Sequence, residues 1–347
     1  MPTGNNLIWL GRWHMIQIPN KHTNPLIQPE KSTFKKDILD LFLGLKTAHL
    51  ASHTFEHGAA LWEDFFNTPS DYYVVKDEIN LIKENAVAIR KIAAGVKDVI
   101  DLGPGSAGAV TNKTLPILQN FLFSIENYHA VDVSLDYLNS AKSIIESAFP
   151  DLNINLLHKN FFSLLQLPIN NRSIALLFGL TLSNMPGIYD KASGINYLRT
   201  EMEAFRKILP KGAYFLCSYD TCQDEEKMMR AYDHPKHALF IKNITSKIES
   251  DLVPDSGFNA HAWRYNPKWD KENYMFKHIL TSTKSMDFMF EDRLFAIPEN
   301  YDILSYVSVK FPEDIYLKIF SEAGFELMAA PFKGPNGDIN ITLLRAT

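Results

Sequence analysis

The stretch that most constrains this chain is Asp98–Gly108, which reads Asp-Val-Ile-Asp-Leu-Gly-Pro-Gly-Ser-Ala-Gly. A short β-branched run, Val99-Ile100, ends in Asp101 and passes directly into a glycine loop, with a segment of helical character behind it. Strand, glycine loop and helix in immediate succession open a nucleotide-binding βαβ unit. Gly103 and Gly105 let the backbone turn tightly and approach a ligand, because no Cβ stands in the way. With Gly108 they spell G-x-G-x-x-G, a pattern that a tight βα turn without a ligand also satisfies.

The chain around this loop supplies the context. Strands are expected at Asp98–Leu102, Tyr128–Val133, Leu152–Leu157, Ile174–Leu182 and Tyr214–Tyr219, alternating with helices at Val110–Phe121, Leu135–Ala148 and Tyr189–Leu209. That alternation predicts a parallel sheet covered on both faces. The rhythm then breaks. Asp220–Pro298 contains helical Asp224–Tyr232 and Phe240–Leu252, a polar aromatic stretch around Trp263–Trp269, and period-two alternation at Phe276–Thr281 and Ser285–Phe290, which together read as an inserted lobe. The core resumes with a helix over Pro312–Ala323 closed by Gly324. Strands at Phe325–Phe332 and Ile339–Arg345 follow, joined by the hairpin signal Lys-Gly-Pro-Asn-Gly-Asp.

A parallel sheet that finishes in an antiparallel hairpin is similar to the class I S-adenosylmethionine-dependent methyltransferase architecture. The expected fold class is therefore α/β, a Rossmann-like sheet with a C-terminal antiparallel hairpin and an inserted α+β substrate lobe. The expected division is an N-terminal arm and helix over 1–57, a cofactor-binding core over 58–219, the lobe over 220–310 and a return to the core over 311–347.

Upstream, residues 1–30 show no period and read as an arm. Lys35–His57 is expected to be helical, with Ile38, Leu41 and Leu45 on one side and His49, His53 and His57 on another. Three imidazoles on one face can hold zinc. The H-E-x-x-H arrangement is missing and Gly58 ends the pattern, so a packed or solvated face, without metal, is the reading adopted. His57–Glu78 is dense in aromatics (Trp62, Phe65, Phe66, Tyr72, Tyr73) and is either core or the wall of a small-molecule pocket. Glu78–Gly95 reads as an amphipathic helix with Gly95 at its end.

Composition excludes several classes of partner. A net charge of −5 with no basic run argues against a nucleic-acid or anionic-membrane surface. Cys217 and Cys222 form an isolated C-x4-C and read as free thiols in a reducing compartment. No apolar run approaches the ~18 residues of a spanning helix, and Leu7–Ile18 is interrupted by Gly11, Arg12 and His14. A cytoplasmic protein acting on a small molecule is the expectation; the sequence assigns no oligomeric state.

Asp132 stands at the end of the second expected strand, where a carboxylate can take both hydroxyls of an adenosine ribose. That placement serves NAD and S-adenosylmethionine alike. Asp101 can meet a ligand ammonium or order the glycine loop, and Asn160-Phe161 offers an amide and a ring to an adenine. A dehydrogenase would use the glycines and Asp132 but leaves the terminal hairpin without a purpose. A non-catalytic binding protein on a methyltransferase scaffold is the other alternative.

Several stretches, taken together, resemble the histidine-specific Nα-methyltransferases of ergothioneine biosynthesis and the related fungal tryptophan-derivative N-methyltransferases. Leu61-Trp62…Pro69…Asp71-Tyr72-Tyr73…Glu78 is similar to the family's aromatic segment, Asp101-Leu-Gly-Pro-Gly to its glycine loop and Asp132-Val-Ser to its Asp-Val-Ser. Gly179-Leu-Thr-Leu-Ser-Asn184, Ala231-Tyr232-Asp233, Phe240…Asn243 and Ser308-Val-Lys310-Phe311 follow in family order. The resemblance runs from about Phe55 to the C-terminus. It implies S-adenosylmethionine as cofactor, held by Asp101, Gly103, Gly105, Asp132, Asn160, Phe161 and Gly179. It also implies that Asn184 and Tyr72 anchor the amino and carboxylate groups of the acceptor and align it for transfer, with Trp62, His278, Tyr306 and Ser308 lining the acceptor pocket.

The chain departs from the family at its side-chain reader. Ser308 matches the family's Ser, but Tyr306 replaces the Glu that receives the imidazole, and His278 falls where a Met is expected. The loop lysine is replaced by Ala109, and Phe55 and Asn160 stand for a Tyr and an Asp. An imidazole N–H without its carboxylate is left unpaired at a cost of ~1–3 kcal/mol. The expected activity is S-adenosylmethionine-dependent N-methylation of the α-amino group of an amino acid or related small amine, not selective for histidine.

Overall fold

The computed structural model describes residues 34–44, 50–68, 72–122, 124–161, 169–184 and 190–347. The N-terminal arm, His49, Pro69 and Asp71 lie outside the described residues, as does the side chain of Phe55.

Two helices, α1 (Phe34–Phe42) and α2 (Ala51–Phe66), stand where one was expected over Lys35–His57, and α2 runs straight through Gly58. Packing explains why this glycine does not end the helix. A Cβ at position 58 would lie 2.9 Å from the ring of Phe240, so glycine is what lets a helix of the lobe cross here. α3 (Tyr73–Ile92) begins at Tyr73 rather than Glu78 and buries Val74, Leu81, Ile82, Ala86 and Ile89 as one apolar stripe. Truncating Ile82 or Ile89 to Ala is expected to cost ~2–5 kcal/mol.

The α/β alternation then follows the sequence pattern. β1 (Asp98–Leu102) leads through the glycine loop into α4 (Ala107–Ala109), whose first turn is capped by Ser106 accepting from the Ala109 N–H. A π turn over Val110–Thr114 interrupts the expected Val110–Phe121 helix before it continues as α5 (Leu115–Phe121). β2 (Asn127–Asp132), α6 (Leu135–Ala148), β3 (Asn153–His158) and β4 (Ser173–Leu177) come next. β4 stops earlier than the apolar run to Leu182 suggests, because Gly179 and Leu180 take positive φ and turn the chain out of the sheet. α7 (Lys191–Ile208), opened by a reciprocal Asp190–Ser193 capping box, leads to β5 (Tyr214–Asp220).

The lobe comprises α8 (Glu225–Tyr232), α9 (Pro235–Asp251), β6 (Trp263–Tyr265), β7 (Lys268–Asp270), β8 (Met275–Ser282), β9 (Met286–Phe290), β10 (Arg293–Ile297) and β11 (Asp302–Val309). Its core joins Ile38 and Phe42 of α1 to Phe240, Trp263, Leu280, Phe288 and Tyr306. α10 (Glu313–Glu322) returns the chain to the main sheet. There the expected Phe325–Phe332 strand is split into β12 (Phe325–Leu327) and β13 (Phe332–Lys333), both paired with β14 (Ile339–Ala346).

The main sheet runs β12-β14-β5-β4-β1-β2-β3. β1 to β5 are parallel, and β14 lies antiparallel between β5 and β12. This is the class I methyltransferase order. β1 and β4 are buried at every position, as central strands covered on both faces must be, while β3 at the edge is largely exposed.

One irregularity in the lobe positions the site. β11 pairs antiparallel with β8, but the register shifts between Leu304 and Tyr306, leaving Ser305 as the extra residue of a β-bulge. The bulge resets the alternation. Tyr306 and Ser308, rather than Ser305 and Val307, therefore share a face with their partners His278 and Phe276.

Candidate active site

The carboxyl ends of β4, β1, β2 and β3 lie side by side, and chain order reverses between β1 and β4. In such a sheet the ligand crevice lies just beyond these ends. The glycine loop, Asp132, Asn160-Phe161 and Gly179 all follow directly on these strands. Gly103 and Gly105 have φ of 78° and 70°, a region closed to most side chains. A Cβ on Gly103 would stand 3.2 Å from the Phe161 ring, which covers the loop at close range. Gly108 serves a different end: its Cβ would meet Phe66 at 3.2 Å, so the third glycine allows α4 to pack on α2.

The two acids at this edge are buried and restrained. Asp132 accepts from the Ser134 N–H at 2.9 Å and also from the Gly105 and Val133 backbones. Burial pushes its carboxyl above the usual range, against the pull of these bonds. Asp101 accepts from the Thr114 hydroxyl at 2.6 Å and the Tyr128 hydroxyl at 2.9 Å, and burial moves it up to about 6. Its carboxylate thus ties the strand before the glycine loop to the helix after it, which favours the loop-ordering of its two suggested roles.

The structure also supplies a cation that the sequence pattern did not reveal. A π turn holds an extra residue and rotates the side chains that follow it. Lys113, one turn past Ala109, is carried inward, where its Nζ lies 2.6 Å from Glu78 with both side chains buried. Glu78 in turn accepts from the Gly179 N–H at 2.7 Å and from the Ser218 hydroxyl. A buried cation, a carboxylate at the end of β2, a glycine cradle and a ring over it form a donor and acceptor set that fits S-adenosylmethionine.

The residues expected to hold the acceptor assemble next to this edge. Asn184 follows the short 3-10 turn after β4, and its Oδ1 accepts from Ser308 Oγ at 2.7 Å. Tyr72 heads α3; its ring meets Trp62 edge-on at 6.2 Å and Tyr232 at 5.4 Å, and its hydroxyl is hydrogen-bonded to that of Tyr232. Tyr306 stacks on His278, with ring centres 4.1 Å apart. Trp62, Tyr72, Asn184, His278, Tyr306 and Ser308 therefore lie in one contiguous group with Tyr232.

Sequence reasoning assigned no role to the groups supporting them. The Tyr232 hydroxyl receives a hydrogen bond from Lys310 Nζ at 2.8 Å. Lys310 forms a fully buried ion pair with Asp220, which also accepts from the Tyr73 hydroxyl at 2.9 Å. Tyr265 bonds His278, and His237 donates from Nδ1 to the Tyr232 carbonyl at 2.9 Å. Burial pushes the phenols of Tyr72, Tyr232, Tyr265 and Tyr306 upward and His237 down to about 3, so all five stay neutral near pH 7. A signal that could have found Lys310 is its period-two spacing from Tyr306 and Ser308 on β11.

Of the three N-terminal histidines, His53 and His57 lie among the described residues. His53 Nε2 lies 2.7 Å from Asp37, and His57 meets Phe34 at 5.3 Å. Among the described residues no three potential ligands gather around a metal position, and no helix is long and apolar enough to cross a membrane. Cys217 and Cys222 are buried free thiols.

Comparison with known proteins agrees with this geometry. The family described as histidine-specific methyltransferase, SAM-dependent, matches residues 35–346. The chain is 27% identical to a 4-dimethylallyltryptophan N-methyltransferase of Penicillium roqueforti, over 86% of this chain and 91% of that protein. It is 22% identical to the N-methyltransferase fsqC of Aspergillus fumigatus, over 79% and 73%. It is also 22% identical to a histidine N-alpha-methyltransferase of Mycobacterium tuberculosis, over 61% and 63%. With its sheet order, glycine cradle and near full-length match, the chain belongs to the histidine-specific, S-adenosylmethionine-dependent methyltransferase family, which includes tryptophan-derivative N-methyltransferases.

Proposed function

We propose that this protein methylates the α-amino nitrogen of an amino acid or related small amine whose side chain is aromatic or otherwise uncharged, and that histidine is a poor acceptor. The names of its relatives cover histidine and 4-dimethylallyltryptophan, whose shared feature is an amino-acid amine. The observation that carries the reading is Tyr306, buried and stacked on His278 at 4.1 Å, at the position where the family resemblance implies an imidazole-reading carboxylate. A neutral phenol and a ring face suit an aromatic side chain and offer an imidazolium no counter-charge.

When bound, S-adenosylmethionine supplies an electrophilic sulfonium methyl. Gly103, Gly105 and Gly179 would lie along its backbone-facing side, Asp132 would take its ribose, Phe161 and Asn160 its adenine, and Lys113 its carboxylate end. Asn184 presents its amide and Tyr72 its hydroxyl to the acceptor's amino-acid group. They hold the neutral amine with its lone pair aligned, and the proton displaced on methylation leaves to solvent. Orientation and exclusion of water are then the chain's main contributions.

Competitive turnover of tryptophan, 4-dimethylallyltryptophan, tyrosine, phenylalanine and histidine, read as S-adenosylhomocysteine and methylated product, tests the reading. Selective methylation of histidine would refute it.

A further inference from the structure

His278 lies fully buried in the middle of β8 with both ring nitrogens engaged. The Tyr265 hydroxyl is 2.8 Å from Nδ1 and Ser308 Oγ is 3.0 Å from Nε2. Ser308 Oγ is 2.7 Å from Asn184 Oδ1. The direction of every bond follows from the last one. An amide oxygen only accepts, so the single hydroxyl hydrogen of Ser308 points to Asn184. Ser308 must then receive from His278, which puts the ring proton on Nε2. A neutral imidazole protonated at Nε2 accepts at Nδ1, and the Tyr265 hydroxyl supplies that hydrogen.

The result is a four-membered chain, Tyr265 to His278 to Ser308 to Asn184, with every hydrogen pointing the same way. With Oδ1 turned inward to Ser308, the Nδ2 hydrogens are the group Asn184 offers an acceptor. The imidazole is also held sideways. Tyr306 stacks on one face at 4.1 Å, and Tyr232 and Phe276 meet the ring edge-on at 5.2 and 5.3 Å. It cannot turn without breaking two hydrogen bonds.

We propose that His278 is the specificity-determining residue of the acceptor pocket: an imidazole built into the protein that occupies Ser308 together with Tyr232 and positions Asn184, so that the pocket takes acceptors bringing no imidazole of their own. This rests on the acceptor reading above and names the residue that enforces it. An incoming histidine would find Ser308 Oγ already bonded to Asn184, His278 and Tyr232. An aromatic acceptor needs nothing from Ser308 and meets ring faces instead.

The test is chemical rescue. His278→Ala removes the ring and leaves room for free imidazole beside Ser308. With the best acceptor among tryptophan, tyrosine and phenylalanine, the variant is expected to raise acceptor KM about tenfold or more, the worth of one lost hydrogen-bonded link, while S-adenosylmethionine affinity stays unchanged. Millimolar imidazole should lower KM again. 1-Methylimidazole, which has no N–H to give Ser308 while accepting from Tyr265, should not. Histidine should gain as an acceptor relative to the aromatic amino acids. An unchanged KM, or equal rescue by the two imidazoles, overturns the proposal.

Tyr265→Phe removes only the outermost hydroxyl and serves if the alanine variant does not fold. A raised acceptor KM with intact donor binding supports the chain, and an unchanged KM overturns it. If the wild type methylates none of these amino acids, the acceptor reading has failed, and calorimetry on His278→Ala still decides this proposal. Preferential binding of imidazole over 1-methylimidazole supports it, and no preference overturns it.

Discussion

Ser308 in the lobe donates a hydrogen bond to Asn184 of the α/β core at 2.7 Å, across 124 residues of sequence. The contact joins a strand of the inserted sheet to the loop after β4, so the two halves of the proposed acceptor site are held in one geometry.

Asn184→Ala is expected to abolish methyl transfer while donor affinity stays nearly intact, because its amide faces the acceptor side. Calorimetric titration with S-adenosylmethionine beside a turnover assay checks this. Collapse of donor binding would make Asn184 a structural residue instead.

Asp132→Ala is expected to weaken S-adenosylmethionine binding by about 2 kcal/mol or more, since a charge-assisted contact is lost. Asp132 also accepts from the Gly105 backbone, so the glycine loop loosens with it. Unchanged affinity in titration would mean that the ribose is held elsewhere.

Asp101, raised to about 6 by burial, gives a pH dependence of definite sign. A carboxyl whose folded value stands above its unfolded one holds its proton better when folded. Its ionisation therefore erodes stability as pH climbs from about 4 to about 6, and the whole penalty, up to ~3 kcal/mol, persists above that. Asp101→Asn keeps an oxygen for Thr114 and Tyr128. Denaturation midpoints of the ligand-free variant and wild type should match near pH 4 and diverge in the variant's favour by pH 7. Parallel curves would contradict the burial argument.

Lys310→Met leaves Asp220 as a fully buried, uncompensated charge and should destabilise the fold by ~3–5 kcal/mol. Adding Asp220→Asn should recover part of that loss. A double-mutant cycle in denaturant measures the coupling, and additive effects would show that the pair is not energetically linked.

Tyr306→Glu alone should improve histidine turnover little, because His278 still holds Ser308. The double variant Tyr306→Glu with His278→Met both adds a carboxylate and frees that serine. It should shift preference toward histidine by ~1–3 kcal/mol in kcat/KM. Competition between histidine and tryptophan in the three proteins is the measurement, and an equal shift in both variants would rule out a role for His278.

Much of this protein was legible in its residues because the signals are local. The apolar runs Val99-Ile100 and Ile174–Leu177 mark two central strands, and the glycines of Asp98–Gly108 mark a tight loop through backbone requirements that a short motif records. The terminal hairpin announces itself by its turn residues, and the class I sheet follows from that order of elements. Tertiary structure decided what depends on partners far away in sequence. Gly58 reads as a helix stop until Phe240 is seen against it. Ala109 stands where the family's loop lysine is expected, and only the fold shows Lys113, in the π turn that follows, paired with Glu78. Which residues of β11 face the pocket depends on the bulge at Ser305, and the bulge exists only in the pairing with β8. Hydrogen-bond direction in the chain from Tyr265 to Asn184 likewise has no local signature, because each proton's position is set by the next acceptor in space.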